Sequence, residues 1–465
     1  VPPFAPATFP GSGISGQQKN QLTWIAVVFG AALAILVPAV WNGFPFMFYD
    51  TGAFIDLAMG GGFRPERSVF YAAFLRAFGP SFSLWSAAVA QVVLTVLVMA
   101  EFARVVTPGL SAPRFFWMII ALCLCTALPW NAADILPDIL APLMVICLFL
   151  LGFHADRLTW PRKVALIAVA IFAATSHASH LGLAAGLAIA VGLTQIAARY
   201  GAPLSAPPRW QLPVLVFSLS LLALVTSNFA LTGQVFVSRC GPSFVLARLV
   251  QDGIAKRVLD DTCPNSGYRL CAYKDNLPAD SNDFLWRWDS PFWTLGGFTG
   301  AEQEAKSIVV ESLKRYPLLN LKTAALNTAQ QFGTFKTGDG IEELDGVPVP
   351  ALRRHMPEQL DSYLAARQHD DGISFDWINT IQVPIGALSI AALATILIQA
   401  VRRRNWGDHV FLPAFVLLAL LGNAFICGAL SSPHDRYQSR LIWLACFAVL
   451  LLTAQPPKKS AHRID

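Results

Sequence analysis

An all-α polytopic membrane protein is the fold class this sequence predicts, and three observations carry it. Hydrophobic residues make up 55% and charged residues 14% of 465 residues, too apolar for a soluble surface. Apolar runs long enough to cross a bilayer recur along the chain. Lys and Arg fall on every second connection between those runs, the pattern that orients spans. This composition excludes a soluble enzyme. The formal charge of +5 is dispersed in short clusters between apolar runs, so no nucleic-acid partner is indicated.

The long runs cover 22–41, 82–103, 211–231, 379–400 and 409–430. Shorter ones at 115–129, 137–153, 164–176, 181–197 and 440–454 would be tilted or would end in a protein-lined cavity. Together they predict about ten transmembrane helices. The connections with Lys19, Arg104 and Arg114, Arg157, Arg162 and Lys163, Arg199 and Arg209, Arg402 to Arg404, and Lys458 and Lys459 would face the cytoplasm. A bacterial-type inner membrane is expected, with both termini inside and the large loop on the periplasmic side.

This divides the chain into a flexible cytoplasmic tail (1–20), an N-terminal membrane module (21–231), an external loop domain (232–378), and C-terminal spans with a cytoplasmic tail (379–465). The tail VPPFAPATFPGSGISGQ is rich in Pro, Gly and Ser and, with no initiator Met, belongs to a sequence that need not be complete. It lacks a basic n-region, so the first apolar run reads as a retained span. The connection 42–81 is too apolar for a solvated loop and is broken at Gly60 to Gly62 and Pro65. It predicts two short amphipathic helices at the membrane interface. The external loop, with Trp286, Trp288, Trp293 and a charged helical stretch from Ala301 to Tyr316, predicts a small α-rich domain.

Of eight cysteines, Cys123, Cys125, Cys147, Cys427 and Cys446 lie in apolar runs, where a thiol acts as a small hydrophobe. Cys240, Cys263 and Cys271 fall in the large loop. One disulfide with one thiol left over suits an oxidising compartment. Cys263 with Cys271 is favoured because the turn-rich PNSGYRL between them closes a short loop, and pairing to Cys240 stays open.

Ionisable residues at membrane depth are functional candidates. Asp50, in FMFYDTGAF, sits in an apolar setting that suits a general base; the plainer alternative is a helix cap. Asp134 and Asp138 in WNAADILPDIL would share a helical face if the segment is helical, whereas Pro137 favours Asp138 in a first helical turn. Such carboxylates suit a divalent cation, with Asp138 the candidate ligand, or a hydroxyl, or simple capping. His177 and His180 in TSHASHLG can share a face, and a phosphate role ranks above zinc. The segment PHDRYQSR gathers His434, Asp435, Arg436, Tyr437 and Arg440 before the last run; Arg436 and Arg440, four apart, suit phosphate oxygens, or anchor the span end. No nucleotide-binding, zincin or nucleophile-elbow motif occurs in context.

This layout resembles the GT-C superfamily of polyprenyl-phosphate-dependent membrane glycosyltransferases, in particular the protein mannosyltransferase and aminoarabinose transferase branch. The resemblance rests on FYDTGAF after the first span, LPWNAADILPDILAPL before the fourth, FAATSHASHLGLAAGLAIA as a short hairpin, a large external loop, and an Arg-Tyr element before a late span. The chain departs from it in two places: the first loop has no acidic partner to Asp50 nearer than Asp56, and histidines stand where many relatives carry a lysine-bearing turn. The resemblance implies inverting transfer of a sugar from a polyprenyl-phosphate donor to a glycan, lipid or protein acceptor. Asp50 would be the base, Asp138 or Asp134 a second carboxylate, and His177, His180, Arg436 and Arg440 the lipid-phosphate ligands. Expected separation of Asp50 from Arg436 is that of a sugar plus its phosphate, on the order of 6 to 12 Å, without direct pairing. Two other classes compete, a lipid or solute transporter and a non-catalytic subunit of a membrane assembly. Transporters usually carry internal repeats and mid-membrane sites, and no repeat is visible here.

Overall fold

A computed structural model describes residues 16–78, 83–200, 208–342, 346–369 and 372–455. The expected tail over 1–15, the C-terminal tail with Lys458 and Lys459, the end of the first connection at 79–81, and 343–345 of the external loop lie outside the described residues.

Helix α1 (Gly16–Asn42) begins several residues before the apolar run, so the boundary at residue 20 moves into the helix. Its Leu22, Ile25, Phe29, Leu33 and Val37 point outward while Ala31, Ile35 and Ala39 are buried. An apolar stripe on the outside is the inverse of a soluble helix and fits lipid. The first connection forms two short helices, α2 (Tyr49–Ala58) and α3 (Val69–Phe78). Contrary to the amphipathic expectation, α2 is buried on most sides, from Thr51 through Asp56.

The next elements are α4 (Leu84–Val106), α5 (Ala112–Cys125), the single turn α6 (Leu128–Ala132) and α7 (Leu140–Phe153), the last preceded by a 3₁₀ turn at Pro137–Ile139. Every residue of α7 from Leu140 to Gly152 is buried, so it is the central helix of the bundle and its unbroken apolar run has no solvated face. Around it stand α8 (Trp160–Ser176), α9 (Ala178–Arg199) and α10 (Gln211–Thr232), which ends on Gly233 in the left-handed conformation at φ 70°.

Residues 240–319 form a separate apolar core built on Leu246, Leu249, Leu259, Phe284, Phe292 and Ile308. It is made by α11 (Gly241–Gln251), α12 (Ile254–Thr262), α13 (Ser281–Trp286), α14 (Pro291–Thr294), α15 (Gly297–Gly300) and α16 (Glu302–Arg315). Charged residues at the ends of α16, Glu302 and Glu304 first and Lys314 and Arg315 last, complement its dipole. A disulfide joins Cys263 to Cys271, and Cys240 is a buried free thiol.

The stretch expected as one loop domain therefore has two parts. Helix α17 (Pro317–Gly333), α18 (Pro348–His355) and α19 (Pro357–Leu364) pack against the bundle, and Val349, Leu352, Met356 and Tyr363 belong to its core. Closing the bundle are α20 (Asp376–Arg402), α21 (Asp408–Ala424), continued by a π turn at Phe425–Ala429, and α22 (Asp435–Ala454).

Among the described residues seven helices are long and apolar enough to cross a membrane: α1, α4, α9, α10, α20, α21 with its π turn, and α22. Helices α5, α7 and α8 fall short of that length, which corrects the span count of ten as a reading of helix length. Among the described residues the one β contact is a bridge between Phe46 and Asp134. The chain is an all-helical membrane protein.

Candidate functional site

The turns after α1, before α7, between α8 and α9, and before α22 meet at one end of the bundle. Asp50 lies in the first turn of α2, where the exposed peptide N–H groups favour a carboxylate. Three close contacts hold that helix. Phe48 N–H donates to Thr51 Oγ1 at 2.9 Å, Thr51 Oγ1 donates to Ile135 O at 3.1 Å, and Gly52 lies against α18, where an added Cβ would fall 2.5 Å from Val347 O.

Five charged side chains alternate in sign across this end. Arg67 Nη2 meets Asp50 Oδ1 at 2.5 Å, and Asp50 Oδ2 is 3.8 Å from Arg436 Nη1. Arg436 Nε is 3.6 Å from Asp138 Oδ2, and Asp138 Oδ1 accepts from Arg440 Nη1 at 2.8 Å. The order is Arg67, Asp50, Arg436, Asp138, Arg440, three guanidiniums against two carboxylates. Its inner end is tight: fully buried Arg440 also donates through Nη2 to Ser179 Oγ at 3.1 Å and Asn423 Oδ1 at 3.0 Å. In the middle, both carboxylate contacts of Arg436 are ion pairs longer than hydrogen bonds, and its guanidinium lies 3.9 Å over the Phe48 ring.

Asp134 lies beside this row in the irregular turn before α7. Buried Gln91 of α4 fixes that turn, donating to Ala132 O at 3.0 Å and Asp134 O at 2.7 Å. Burial first, then the nearby Asp138, pushes the Asp134 carboxyl well above the usual carboxylate range, while Arg436 pulls the other way. His177 caps α9, its Nδ1 accepting from Ser179 N–H at 3.2 Å, and its ring lies 5.2 Å from that of His180. His180 is fully buried, with Nδ1 2.9 Å from Ala173 O.

Toward the surface the row opens beside a cleft of about 400 Å³ lined by Lys336, Asp339, Phe375, Asp376, His434 and Asp435. Asp339 accepts from Arg436 N–H at 2.9 Å. The separate core reaches over this edge: Asn282 Nδ2 is 3.2 Å from His434 Nε2, and the Trp286 ring lies 5.9 Å from the Arg67 guanidinium.

Every residue singled out from the sequence, Asp50, Asp134, Asp138, His177, His180, Arg436 and Arg440, falls at this end of the bundle. Of the two readings of Asp134 and Asp138 the second holds: residues between α6 and Pro137 are non-helical and Asp138 occupies the first turn before α7, so the two carboxylates share no helical face. Asp50 is not in an apolar setting but between two guanidiniums. Nor is it separated from Arg436 by a sugar and its phosphate; the two are in contact at 3.8 Å. A divalent cation does not fit the acidic pair, since Asp138 faces Arg436 and Arg440, and no group of three His, Cys, Asp or Glu among the described residues could hold a metal. Asp56, the distant acid of the first loop, is a fastening instead, meeting Arg64 at 3.0 Å, His355 at 2.9 Å and Arg354 at 3.2 Å.

Arg67, Ser179, Asn423 and Asp339 are the members that sequence reasoning missed. Arg67 follows the Gly60 to Gly62 break, and the tight turns that fold it back onto Asp50, with Gly60 and Gly62 at φ 89° and 91°, are the one local signal for it. Comparison of the chain with protein-family models, curated proteins and solved structures gives no match.

Proposed function

We propose that this chain is a GT-C-type membrane glycosyltransferase that moves a sugar from a polyprenyl-phosphate donor to an acceptor by inverting transfer. The observation that supports it is the charge of the row: three arginines stand against Asp50 and Asp138, with burial favouring a protonated Asp134 and with Asp339 outside the row on the Arg436 backbone N–H. A lipid phosphate matches the arginines of that row. Buried polar atoms without a hydrogen-bond partner gather there too: Arg67 Nε, Asp134 Oδ1, Asp138 Oδ2, His180 Nε2 and Arg440 Nε. A purely structural network would be expected to satisfy them.

In this reading the donor phosphate displaces the long Asp50–Arg436 contact, the weakest link of the row, and lies on Arg436, Arg67 and His177. Asp50 takes the proton of the acceptor hydroxyl, whose oxygen attacks the anomeric carbon. The bond from that carbon to the phosphate oxygen breaks, and its electron pair leaves with the phosphate, stabilised by the arginines. Arg440 holds Asp138, and Asp138 holds Arg436. The acceptor enters by the cleft lined by Asp339 and Phe375.

The same reading takes α5, α7 and α8 as further crossings, about ten in all, since α7 is enclosed and need not reach a lipid boundary. It places the cationic connections in the cytoplasm of a bacterial-type inner membrane and residues 232–378 on the periplasmic side.

The direct Asp50–Arg436 contact favours a second reading, a non-catalytic subunit in which the row only ties loops together. Transfer assays on protein in lipid nanodiscs, with a panel of polyprenyl-phosphate sugars and membrane extract as acceptor, separate the two. The enzyme reading expects label transfer that Asp50→Asn abolishes without loss of folded protein; transfer unchanged by Asp50→Asn would overturn it.

A further inference from the structure

Helix α17 is inside out. Asn320, Asn327 and Gln331 share the face turned into the protein and are buried. On the opposite face Leu318, Leu321 and Leu326 are 79%, 67% and 58% exposed, beside exposed Ala325 and Ala329. A helix of a soluble loop does the reverse, because the exposed leucines forgo their burial while amides occupy the interior.

The inward amides are all engaged. Asn320 Nδ2 donates to Ser312 O at 3.0 Å, and Asn327 Nδ2 to Asp252 Oδ1 at 3.2 Å. Gln331 grips the backbone of His434 from both sides, donating to its O at 2.8 Å and accepting from its N–H at 2.9 Å. Inward polarity is therefore built and satisfied, and the outward leucines are its consequence.

Helix α17 also lies against a helix long and apolar enough to span a membrane. Helix α17 packs on the π turn so closely that a Cβ at Gly428 would fall 2.5 Å from Asn327 O. That turn extends α21, a helix long and apolar enough to span, whose Leu421 and Phe425 also point outward. Lys322 is the one charge on the outer face of α17, and its long stem lets the ammonium reach headgroups while its methylenes stay in apolar surroundings.

We propose that α17 is immersed in the bilayer, its leucine face against acyl chains, although it belongs to the stretch 232–378 that reads as a loop. Polar side chains inward and aliphatic ones outward is the arrangement lipid selects. A second protein covering the leucines is the competing occupant; continuity with the outer face of α21 favours lipid. Because Gln331 holds His434, two residues before Arg436, the depth of α17 sets the depth of the arginine row, whatever reaction that row serves.

The test is photo-crosslinking of the full chain in native membranes, with p-benzoylphenylalanine placed singly at Leu321 and at Leu326. Leu421 serves as the lipid-facing reference and Lys314, exposed on α16, as the aqueous one. Lipid adducts found by mass spectrometry should match those at Leu421 and exceed those at Lys314 roughly tenfold, as expected for a side chain in hydrocarbon. Adducts to a second protein in place of lipid, or lipid yields no higher than at Lys314, would overturn the proposal. Two positions keep the result readable if one variant fails to fold, and neither outcome depends on the chain being a glycosyltransferase.

Discussion

Arg436 stands 3.8 Å from Asp50 through Nη1 and 3.6 Å from Asp138 through Nε, so one guanidinium joins carboxylates carried by two different connections of the bundle. Its own helix supplies the next arginine, Arg440, one turn deeper and hydrogen-bonded to Asp138. The row is graded: closed by hydrogen bonds at its buried end, held by longer ion pairs in its middle. Substitutions should therefore divide along it.

At the buried end, removing Arg440 takes away the hydrogen-bonded partner of Asp138 and leaves it only the longer Arg436 contact. Arg440→Met should destabilise the protein by about 3–5 kcal/mol, since Asp138 keeps its charge in a buried setting. Asp138→Asn added to Arg440→Met should recover a large part of that loss. Thermal unfolding of the single and double variants in detergent gives the coupling; additive losses would show that the pair is not the buried unit described here.

The placement of Asp50 depends on a close approach of backbones. In Gly52→Ala the new methyl would meet Val347 O at 2.5 Å, with Pro348 Cα 3.0 Å away, so α2 and α18 must separate. A loss of about 1–3 kcal/mol is expected, together with impaired function of the row, because α2 carries Asp50. An unchanged melting temperature would mean that the two helices are not locked together at this glycine.

Much of this was legible in the sequence, and its failures have physical causes. Five of the seven long helices follow from the long apolar runs, whereas α9 and α22 extend beyond runs that read as short (181–197 and 440–454), and the short Cys263–Cys271 loop announced its disulfide. The acidic and basic candidates were found because charge is rare in apolar surroundings. Their pairing was not, since Asp50 and Arg436 lie at opposite ends of the chain and a single sequence carries no distance between them. Helix α17 was hidden by its own inversion. Its amides and Lys322 lower the hydropathy of a 17-residue segment, although its leucines face outward.

Asp134 should show itself through pH. Its folded-state proton is held well above the ordinary carboxylate range, so above about pH 4 the folded chain binds a proton that the unfolded chain has released. This contribution to stability is lost as pH rises through the folded value. Asp134→Asn removes the titration, and its stability advantage over the unaltered protein should grow between pH 5 and pH 8, a range of about three units over which each is compared by thermal unfolding. Parallel profiles would show that Asp134 ionises without penalty.

Native mass spectrometry of the protein in nanodiscs with added polyprenyl phosphate tests directly the proposal that the row binds a lipid phosphate. A one-to-one complex is expected, retained in Asp50→Asn and weakened at least about tenfold in Arg436→Ala, the loss expected for a charge-assisted hydrogen bond to phosphate. Equal occupancy in the unaltered protein and in Arg436→Ala, or no complex at all, would contradict it and leave the row as a fastening of loops.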